Sequence, residues 1–392
     1  MSIPPRLTIS REEYDARIAR VQSAMNEENV DVLITHACEC ESANVRFLTN
    51  FWAVFDFVGV IVPREGKPLL LTGGPESYDF SKMIAQLDDI RVHPIYVETS
   101  APEWDKAIDS ISYTDILNEF RQKFPIKQIG ICNSNIIPHV VMEDIAKGAQ
   151  GAELVNSDQL IMKVRWFKSD YEIEVLKKAY TITTKAMQKA VEIIKPGVRE
   201  WEIEAQWRAE AYLMGAEGTS FPIWVTSGPN CYQSLSKSTE RIIENDEVVQ
   251  LTFGAKYGGY CSVMCRPVVL GKIPQKNSDM IRVAQECVDE TIELIKPGVP
   301  FASVYNQFQT KLEKEGFSGT NLYGPAHGTG MQECEGPWVD NRTDLVFKPN
   351  MAFNVDIWIS DGVFGVRMED GIVVTQSGVE QLSSWNRGPI YR

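Results

Sequence analysis

The sequence predicts two domains, an α/β domain over residues 1–160 followed by an α+β domain over residues 161–392. Helix and strand patterns alternate over the first part of the chain, as they do in small α/β domains. The second part contains a glycine-paired hairpin, and the pentapeptide Ile-Lys-Pro-Gly-Val occurs twice there, at residues 194–198 and 295–299. A chain of 392 residues is long enough for two such domains, each with its own core.

The first domain is predicted to begin with a helix. Ser10 and Glu13 form a capping box, in which the serine hydroxyl accepts from a free helix amide and the glutamate reaches back. The helix is predicted to run to about Asn26. Apolar, β-branched runs then predict strands over residues 30–35, 58–62 and 69–72.

The second domain is predicted to open with another capped helix. Ser169 and Glu172 form its capping box, and its apolar stripe runs to about Ile194. A second striped helix is predicted over residues 280–295. Both helices end at the repeated pentapeptide, where proline and glycine stop a helix. A duplicated unit of helix and strands explains this recurrence, and chance recurrence of a common helix stop is the alternative.

A hairpin is predicted over residues 247–266, with its turn at residues 256–259. Valine, leucine and phenylalanine favour the strands, and two adjacent glycines permit the turn. Because side chains alternate along a strand, Cys261, Val263 and Cys265 are predicted to share one face.

Composition fits a soluble globular protein, with 44% hydrophobic and 23% charged residues. The net charge of −14 disfavours nucleic acid and anionic membranes as partners. No apolar run approaches membrane-spanning length, and the N-terminus lacks the apolar core of a signal peptide. The eight cysteines are scattered without zinc or redox spacing, so we expect reduced thiols in a cytoplasmic protein.

The hairpin resembles the metal-binding hairpin of the pita-bread family, which includes aminopeptidase P, prolidase, methionine aminopeptidase and creatinase. The peptidases typically read Leu-Asp-Phe-Gly-Ala and then Ser-Asp-Ile-Thr-Arg. This chain has Thr252 and Val263 in place of the two aspartates, in an otherwise similar frame. The resemblance implies a pita-bread fold for the second domain and implies that two metal-binding acids are missing.

The resemblance places the other three metal-ligand positions of the family at His327, Asp356 and Glu369. A hydroxyl and an isopropyl group do not replace two bridging anions, so no metal is expected, with a single-metal triad of the three residues as the alternative. The family's two additional histidine positions correspond here to Leu235 and Cys334.

Creatinase is the member of the resembling family that works without metal. Its glutamate that contacts the substrate guanidinium falls at Cys265, and its carboxylate-binding arginine falls near Arg342. Its arginine that enters the neighbouring subunit's pocket falls at Asp56. The residues predicted to contact substrate are Thr252, Val263, Cys334, Arg342, Tyr232, Trp224, Phe55 and Asp56.

Two mechanisms without metal follow. In the first, Cys265 is a nucleophile and His327 is its base, whereas packing is the ordinary role of a free cysteine. In the second, His327 or a carboxylate activates water while Asp356 and Glu369 hold the substrate, since two close carboxylates can share one proton.

The predicted function is metal-independent, creatinase-like hydrolysis of a C–N bond in a small guanidino, amidine or amide compound, without a cofactor. The resemblance also implies a homodimer, with each pocket completed by the partner's N-terminal domain. An Xaa-Pro metallopeptidase with altered ligands is the second, less favoured prediction. A catalytically inactive binding protein of the same fold is the third.

Overall fold

The computed structural model describes residues 9–55, 57–96 and 109–392. The described residues form two compact units, Ile9–Arg165 and Trp166–Arg392. The predicted fold class is confirmed, because the first unit is an α/β domain and the second is an α+β domain of the pita-bread type. Among the described helices, none is both long and apolar enough to cross a membrane.

The first unit is built on a mixed six-stranded sheet. Its strands are β1 (Val32–Ala37), β2 (Val58–Pro63), β3 (Leu69–Thr72), β4 (Asp89–Val92), β5 (Gln128–Cys132) and β6 (Glu153–Asn156). Its helices are α1 (Arg11–Glu27), α2 (Ala43–Thr49), α3 (Pro75–Ile84), α4 (Tyr113–Arg121), α5 (His139–Ala149) and α6 (Asp158–Trp166). The sheet order is β4-β3-β2-β1-β5-β6, and Ser10 caps α1 by accepting from the amide of Glu13.

The second unit contains four α-helices among the described residues, α7 (Asp170–Glu192), α8 (Glu200–Leu213), α9 (Gln275–Leu294) and α10 (Phe301–Lys314). Its first six strands are β7 (Gly218–Thr219), β8 (Trp224–Ser227), β9 (Val248–Phe253), β10 (Ala255–Tyr257), β11 (Tyr260–Cys261) and β12 (Met264–Val269). The remaining strands are β13 (Ala326–Gly328), β14 (Glu335–Trp338), β15 (Ala352–Ser360), β16 (Gly365–Val374), β17 (Val379–Gln381) and β18 (Ile390–Tyr391). The predicted capping box of Ser169 and Glu172 opens α7.

The central sheet of this unit has the order β14-β13-β15-β16-β12-β9-β8, with β17 on β16 and β18 on β12. One face packs on α9 and α10 in a single apolar core, to which β16 contributes Val366, Met368 and Ile372. Since side chains alternate along a strand, Arg367 and Glu369 of β16 point to the opposite face. That face also carries the side chains that lie opposite Glu369, Asp356 on β15 and Cys265 on β12.

The predicted hairpin is present but bent. Gly258 and Gly259 make its turn with positive φ angles of 57° and 86°. Its tip, β10 and β11, leaves the central sheet and joins β7 in a three-stranded sheet. Ser262 and Val263 therefore lie outside any strand. The strand alternation from which one shared face for Cys261, Val263 and Cys265 was predicted is interrupted between them.

The repeated pentapeptide adopts the same backbone arrangement twice. Gly197 and Gly298 both have left-handed φ angles, of 94° and 84°. The amide of Gly197 donates to Ile243 O, and the amide of Gly298 donates to Phe347 O in the same manner. Each pentapeptide joins a long helix to a shorter one, which supports the predicted duplication over chance recurrence.

Candidate active site

Four neighbouring strands bring the predicted catalytic residues together on the polar face of the central sheet. Cys265 on β12 lies opposite Glu369 on β16 and opposite Thr252 on β9. Glu369 in turn lies opposite Asp356 on β15. His327 lies on β13, which pairs with β15. Sheet register thus explains why residues far apart in sequence form one cluster.

The orientation of His327 is fixed by one hydrogen bond. Its Nδ1 lies 2.9 Å from the carbonyl oxygen of Gly328. A carbonyl only accepts, so Nδ1 carries the proton and Nε2 of the neutral ring keeps a lone pair. Nε2 lies 3.8 Å from Oε1 of Glu333 and 3.8 Å from Oε1 of Glu369. The histidine therefore presents its basic nitrogen to two carboxylates.

Glu369 is the most buried carboxylate of this cluster, at 1% exposure. Its Oε2 accepts a hydrogen bond from the Cys265 thiol at 3.2 Å, whereas its Oε1 has no hydrogen-bond partner within the described part of the chain. Burial, together with the charges of Asp356 and Glu333, raises the pKa of Glu369 well above its ordinary value. Burial also raises the pKa of Glu333.

Asp356 has a different electrostatic environment, because Nε of Arg367 lies 3.5 Å from its Oδ1. The Arg367 guanidinium also donates to the hydroxyl of Tyr323 and lies over the Trp224 ring, 5.9 Å from its centroid. Burial alone would lower the pKa of Arg367, but Asp356 and its other anionic neighbours outweigh burial and raise it. Arg367 thus forms an ion pair with Asp356, whereas no arginine or lysine of the described residues lies within ion-pair distance of Glu369.

Cys265 is fully buried, and burial followed by the charge of Glu369 raises the pKa of its thiol well above the ordinary value. A nucleophilic cysteine needs a thiolate, which a cationic neighbour or helix N-terminus normally stabilises. Cys265 instead keeps its proton and donates a hydrogen bond to the carboxylate of Glu369. This geometry favours water activation over the cysteine-nucleophile mechanism. The pKa of Cys334 is also raised, by burial and by the adjacent Glu333.

A cavity of about 530 Å³ lies near the cluster, although the clustered cysteine, histidine and carboxylates are not among its lining residues. Tyr323 and Trp338 form part of its wall, and the Trp338 ring centroid lies 5.1 Å from that of His327. Arg342 also lines the cavity, with an 81% exposed side chain that is paired with Asp340. The structure therefore places Arg342 beside the cavity rather than in the buried cluster.

The remaining predicted contact residues occupy varied positions. Trp224 and Thr252 pair across β8 and β9 and belong to the cluster, and Val263 is buried at 1% exposure. Tyr232 is 49% exposed. Phe55 is 78% exposed and belongs to the first unit, and Asp56 lies outside the described residues.

Two important site residues, Glu333 and Arg367, were missed from the sequence. Arg367 precedes Glu369 by two residues on β16, so strand alternation alone places both on one face. Glu333 immediately precedes Cys334, the position at which the resembling family has an additional histidine. Its role had no sequence signal, because it comes from the loop between β13 and β14.

The paired metal centre implied by the family resemblance does not fit these residues. Thr252 offers a buried hydroxyl that has no hydrogen-bond partner among the residues described, and the side chain of Val263 offers only carbon atoms. Asp356 is already engaged by Arg367. Two of the five ligand positions thus lack an anion, and two adjacent divalent ions would be poorly compensated.

Replacing Glu369 by glutamine is expected to increase the free energy of unfolding of the chelator-treated protein, and the gain should grow with pH. The pKa of Glu369 in the folded protein lies above its ordinary value of 4.5. The native state therefore holds a proton that the unfolded state releases, and wild-type stability falls as pH rises from 4.5 towards the raised pKa. Glutamine does not titrate and avoids this loss.

Urea unfolding near pH 5 and near pH 8 measures this difference. The Glu65→Gln variant, at an exposed glutamate, serves as the control and should show no such pH-dependent gain. An equal effect of Glu369→Gln at both pH values would contradict the burial argument.

Known proteins with similar sequences are peptidases. The chain is 28% identical over 264 residues to an Xaa-Pro dipeptidase of Pyrococcus horikoshii, covering 67% of this chain and 74% of that one. It is 28% identical over 360 residues to an uncharacterized peptidase of Staphylococcus saprophyticus, covering 90% and 99%.

Solved structures show the same fold. The Xaa-Pro dipeptidase from Bacillus anthracis superposes with a TM-score of 0.80 at 24% identity, covering 97% of this chain and 100% of the other. The prolidase from Pyrococcus horikoshii OT3 gives 0.79 at 22% identity, covering 95% and 99%.

These relatives correct the predicted function. A creatinase-like hydrolase of a non-peptide C–N bond, with peptidase activity less favoured, is wrong, because the similar proteins are named as Xaa-Pro dipeptidases and peptidases. The predicted metal independence is likewise unsupported in a family of metallopeptidases. The prediction relied too heavily on two substituted positions in a frame that is otherwise that of the peptidases.

Family models cover most of the chain. Residues 17–167 match the creatinase/prolidase N-terminal domain. Residues 174–376, more than half of the chain, match metallopeptidase family M24. With the pita-bread fold and the retained histidine and carboxylate positions already established, the chain belongs to metallopeptidase family M24.

Proposed function

We propose that this protein is a dipeptidase that hydrolyses the peptide bond of Xaa-Pro substrates. One observation carries the proposal: Nε2 of His327 and carboxylate oxygens of Glu333 and Glu369 lie within 4.8 Å of one another, and the neighbouring Trp338 ring lines a cavity. Converging basic atoms of this kind orient and deprotonate a water molecule. The names of the similar peptidases support the choice of bond and substrate.

In the proposed reaction, His327, Glu333 and Glu369 hold a water molecule, and Nε2 of His327 accepts one of its protons as the water oxygen attacks the peptide carbonyl carbon. The same proton then passes to the leaving nitrogen, and the C–N bond breaks. Burial strengthens these interactions, because His327 and Glu369 are 3% and 1% exposed. Arg367 keeps Asp356 compensated and holds the Tyr323 hydroxyl at the cavity wall.

The cavity suits a small dipeptide. The rings of Tyr323 and Trp338 offer a flat apolar surface to a proline ring. The exposed guanidinium of Arg342 lies on the same cavity and can pair with the terminal carboxylate. A cavity volume of about 530 Å³ accommodates two residues but not a folded protein substrate.

A panel of dipeptides tests the proposal directly. Purified protein should release proline from Xaa-Pro dipeptides, should be slower on the matched Xaa-Ala dipeptides, and should lose this activity in the Glu369→Gln variant. Each substrate is assayed after chelation and again with added Zn²⁺, Mn²⁺ or Co²⁺. Cleavage of no dipeptide under any of these conditions would contradict the proposal and favour a binding protein.

We further propose that the protein acts as a homodimer in the cytoplasm, with its pocket completed by the partner's N-terminal domain. The family resemblance supports the dimer, and the scattered cysteines without disulfide spacing support a reducing compartment. Sedimentation velocity of the purified protein distinguishes a dimer from a monomer.

A further inference from the structure

We propose that Cys38 and Cys40 are a redox-sensitive modification site that closes a reversible disulfide by exchange with a low-molecular-weight disulfide such as oxidised glutathione. Both residues are free thiols, and Sγ of Cys38 lies 3.2 Å from Sγ of Cys40. One residue separates them, whereas the common redox motif Cys-x-x-Cys has two, so the spacing alone did not predict the pair. The site lies in the first unit and uses none of the residues of the proposed hydrolytic reaction.

The backbone of a tight turn holds the two thiols together. The amide of Cys38 donates to Glu41 O at 3.1 Å, and the amide of Glu41 donates to Cys38 O at 3.2 Å. This reciprocal pair closes a turn directly after β1, with Glu39 and Cys40 at its centre. A disulfide needs about 2.05 Å between its sulfur atoms, so the bond closes with a movement of about 1 Å.

Side chains on both sides of the turn fix its position. Oε1 of Glu41 accepts from the amide of Ala43 at 3.1 Å, at the start of α2. Nδ2 of Asn133 donates to His36 O, and Oδ1 of Asn133 accepts from Nδ2 of Asn44. One asparagine thus bridges the strand before the turn and the helix after it. A fixed turn keeps the second thiol close to the first while the first reacts.

The pair is accessible to an oxidant from solvent. Cys40 is exposed and Cys38 is partly exposed. Five other cysteines are buried, namely Cys132, Cys231, Cys261, Cys265 and Cys287. Cys38 and Cys40 therefore combine access to solvent with a neighbouring sulfur atom.

The exchange takes place in two balanced steps. The thiolate of Cys40 attacks one sulfur atom of oxidised glutathione, which breaks the S–S bond and releases one glutathione thiolate. The thiolate of Cys38 then attacks Sγ of Cys40 and releases the second glutathione thiolate. The protons of the two cysteines end on the two released glutathione molecules. The two cysteine thiols are thus oxidised to a disulfide, and the oxidised glutathione is reduced.

The rate of the first step depends on pH. The hydrogen bond with Cys38 raises the pKa of the Cys40 thiol above its ordinary value of 9.0, and the charge of Glu41 adds to this shift. Because the thiolate is the attacking species, the exchange should be slow near neutral pH and should accelerate as pH rises. In a reducing cytoplasm such a pair stays a dithiol until the surrounding thiols become oxidised.

Mass spectrometry of a tryptic digest made without reductant tests the proposal. Trypsin should release residues 21–46 as one peptide that contains both cysteines, because no lysine or arginine lies between Arg20 and Arg46. The protein is incubated with excess oxidised glutathione at about pH 8, where thiolate is available, and free thiols are then alkylated. We expect the peptide to lose two hydrogen atoms and to escape alkylation. Excess reduced glutathione should restore both thiols.

Cys38→Ser removes the second thiol and should stop the exchange after its first step. The peptide of this variant should then carry glutathione on Cys40 instead of losing two hydrogen atoms. Cys334→Ser, at another partly exposed cysteine, is the matched control and should close the disulfide as the wild type does. Circular dichroism spectra of both variants verify that they are folded.

Two results would overturn the proposal: a wild-type peptide that keeps both thiols in excess oxidised glutathione, or one that carries glutathione without closing the disulfide. Closure in Cys334→Ser together with trapped glutathione in Cys38→Ser would support it. Neither result depends on whether the protein cleaves a dipeptide.

Discussion

Replacing His327 by alanine is expected to lower kcat/KM for an Xaa-Pro dipeptide by about 10²–10⁴-fold, the usual cost of losing a residue that handles the reacting proton. The ring is buried and its basic Nε2 faces both Glu333 and Glu369. Without the imidazole, the carboxylates of Glu333 and Glu369 have no base between them to accept a proton from the water. The loss should appear mainly in kcat, because the cavity walls that hold the substrate are unchanged.

His139→Ala is the matched control. The side chain of His139 is 85% exposed on a helix of the first unit and pairs with Glu143, so this variant should keep wild-type kinetics. Steady-state kinetics of both variants on one dipeptide measures the effect. If His327→Ala retained more than about one tenth of wild-type kcat/KM, His327 would not take part in proton transfer or in holding the water.

The two long strands of the hairpin could be predicted because their sequence carries local signals. The frame around Thr252 and Cys265 was predicted from pattern and resemblance, and strands do occupy it at Val248–Phe253 and Met264–Val269. Cross-strand neighbours then follow from register, and Cys265 indeed lies opposite both Thr252 and Glu369. Elements with regular periodicity therefore gave correct positions.

The missed features depend on loops and long-range charge. Glu333 lies near His327 but belongs to a loop, and a loop has no periodic sequence pattern that predicts its course. Arg367 forms its ion pair with Asp356 only because the strands that carry them are paired. The bend after β9 likewise comes from pairing of the hairpin tip with β7, a strand of only two residues. The sequence prediction weighed the two acids missing at Thr252 and Val263 without the carboxylate of Glu333, and it gave the wrong reaction class.

The buried ion pair of Arg266 and Asp370 lies behind the site and is expected to be essential for stability. Both side chains are 0% exposed, and Nη2 of Arg266 donates to both carboxylate oxygens, at 2.9 Å and 2.8 Å. Nη1 of Arg266 donates to the carbonyl oxygens of Cys265 and Glu369. One side chain thus joins the two backbones that carry opposing site residues.

Arg266→Met should lower the free energy of unfolding by about 3–5 kcal/mol, because it leaves the carboxylate of Asp370 buried without its cation. The double variant Arg266→Met with Asp370→Leu removes both charges and should recover most of that loss. Arg342→Met, at an exposed arginine paired with Asp340, should cost about 1 kcal/mol or less. Urea unfolding of the three variants measures these differences.

Two outcomes would show that Arg266 does not act by compensating the buried charge of Asp370: a single variant as stable as the wild type, or a double variant no more stable than the single one. Dipeptide turnover should not recover with stability in the double variant, because the hydrogen bonds from Arg266 to the backbones of Cys265 and Glu369 remain absent.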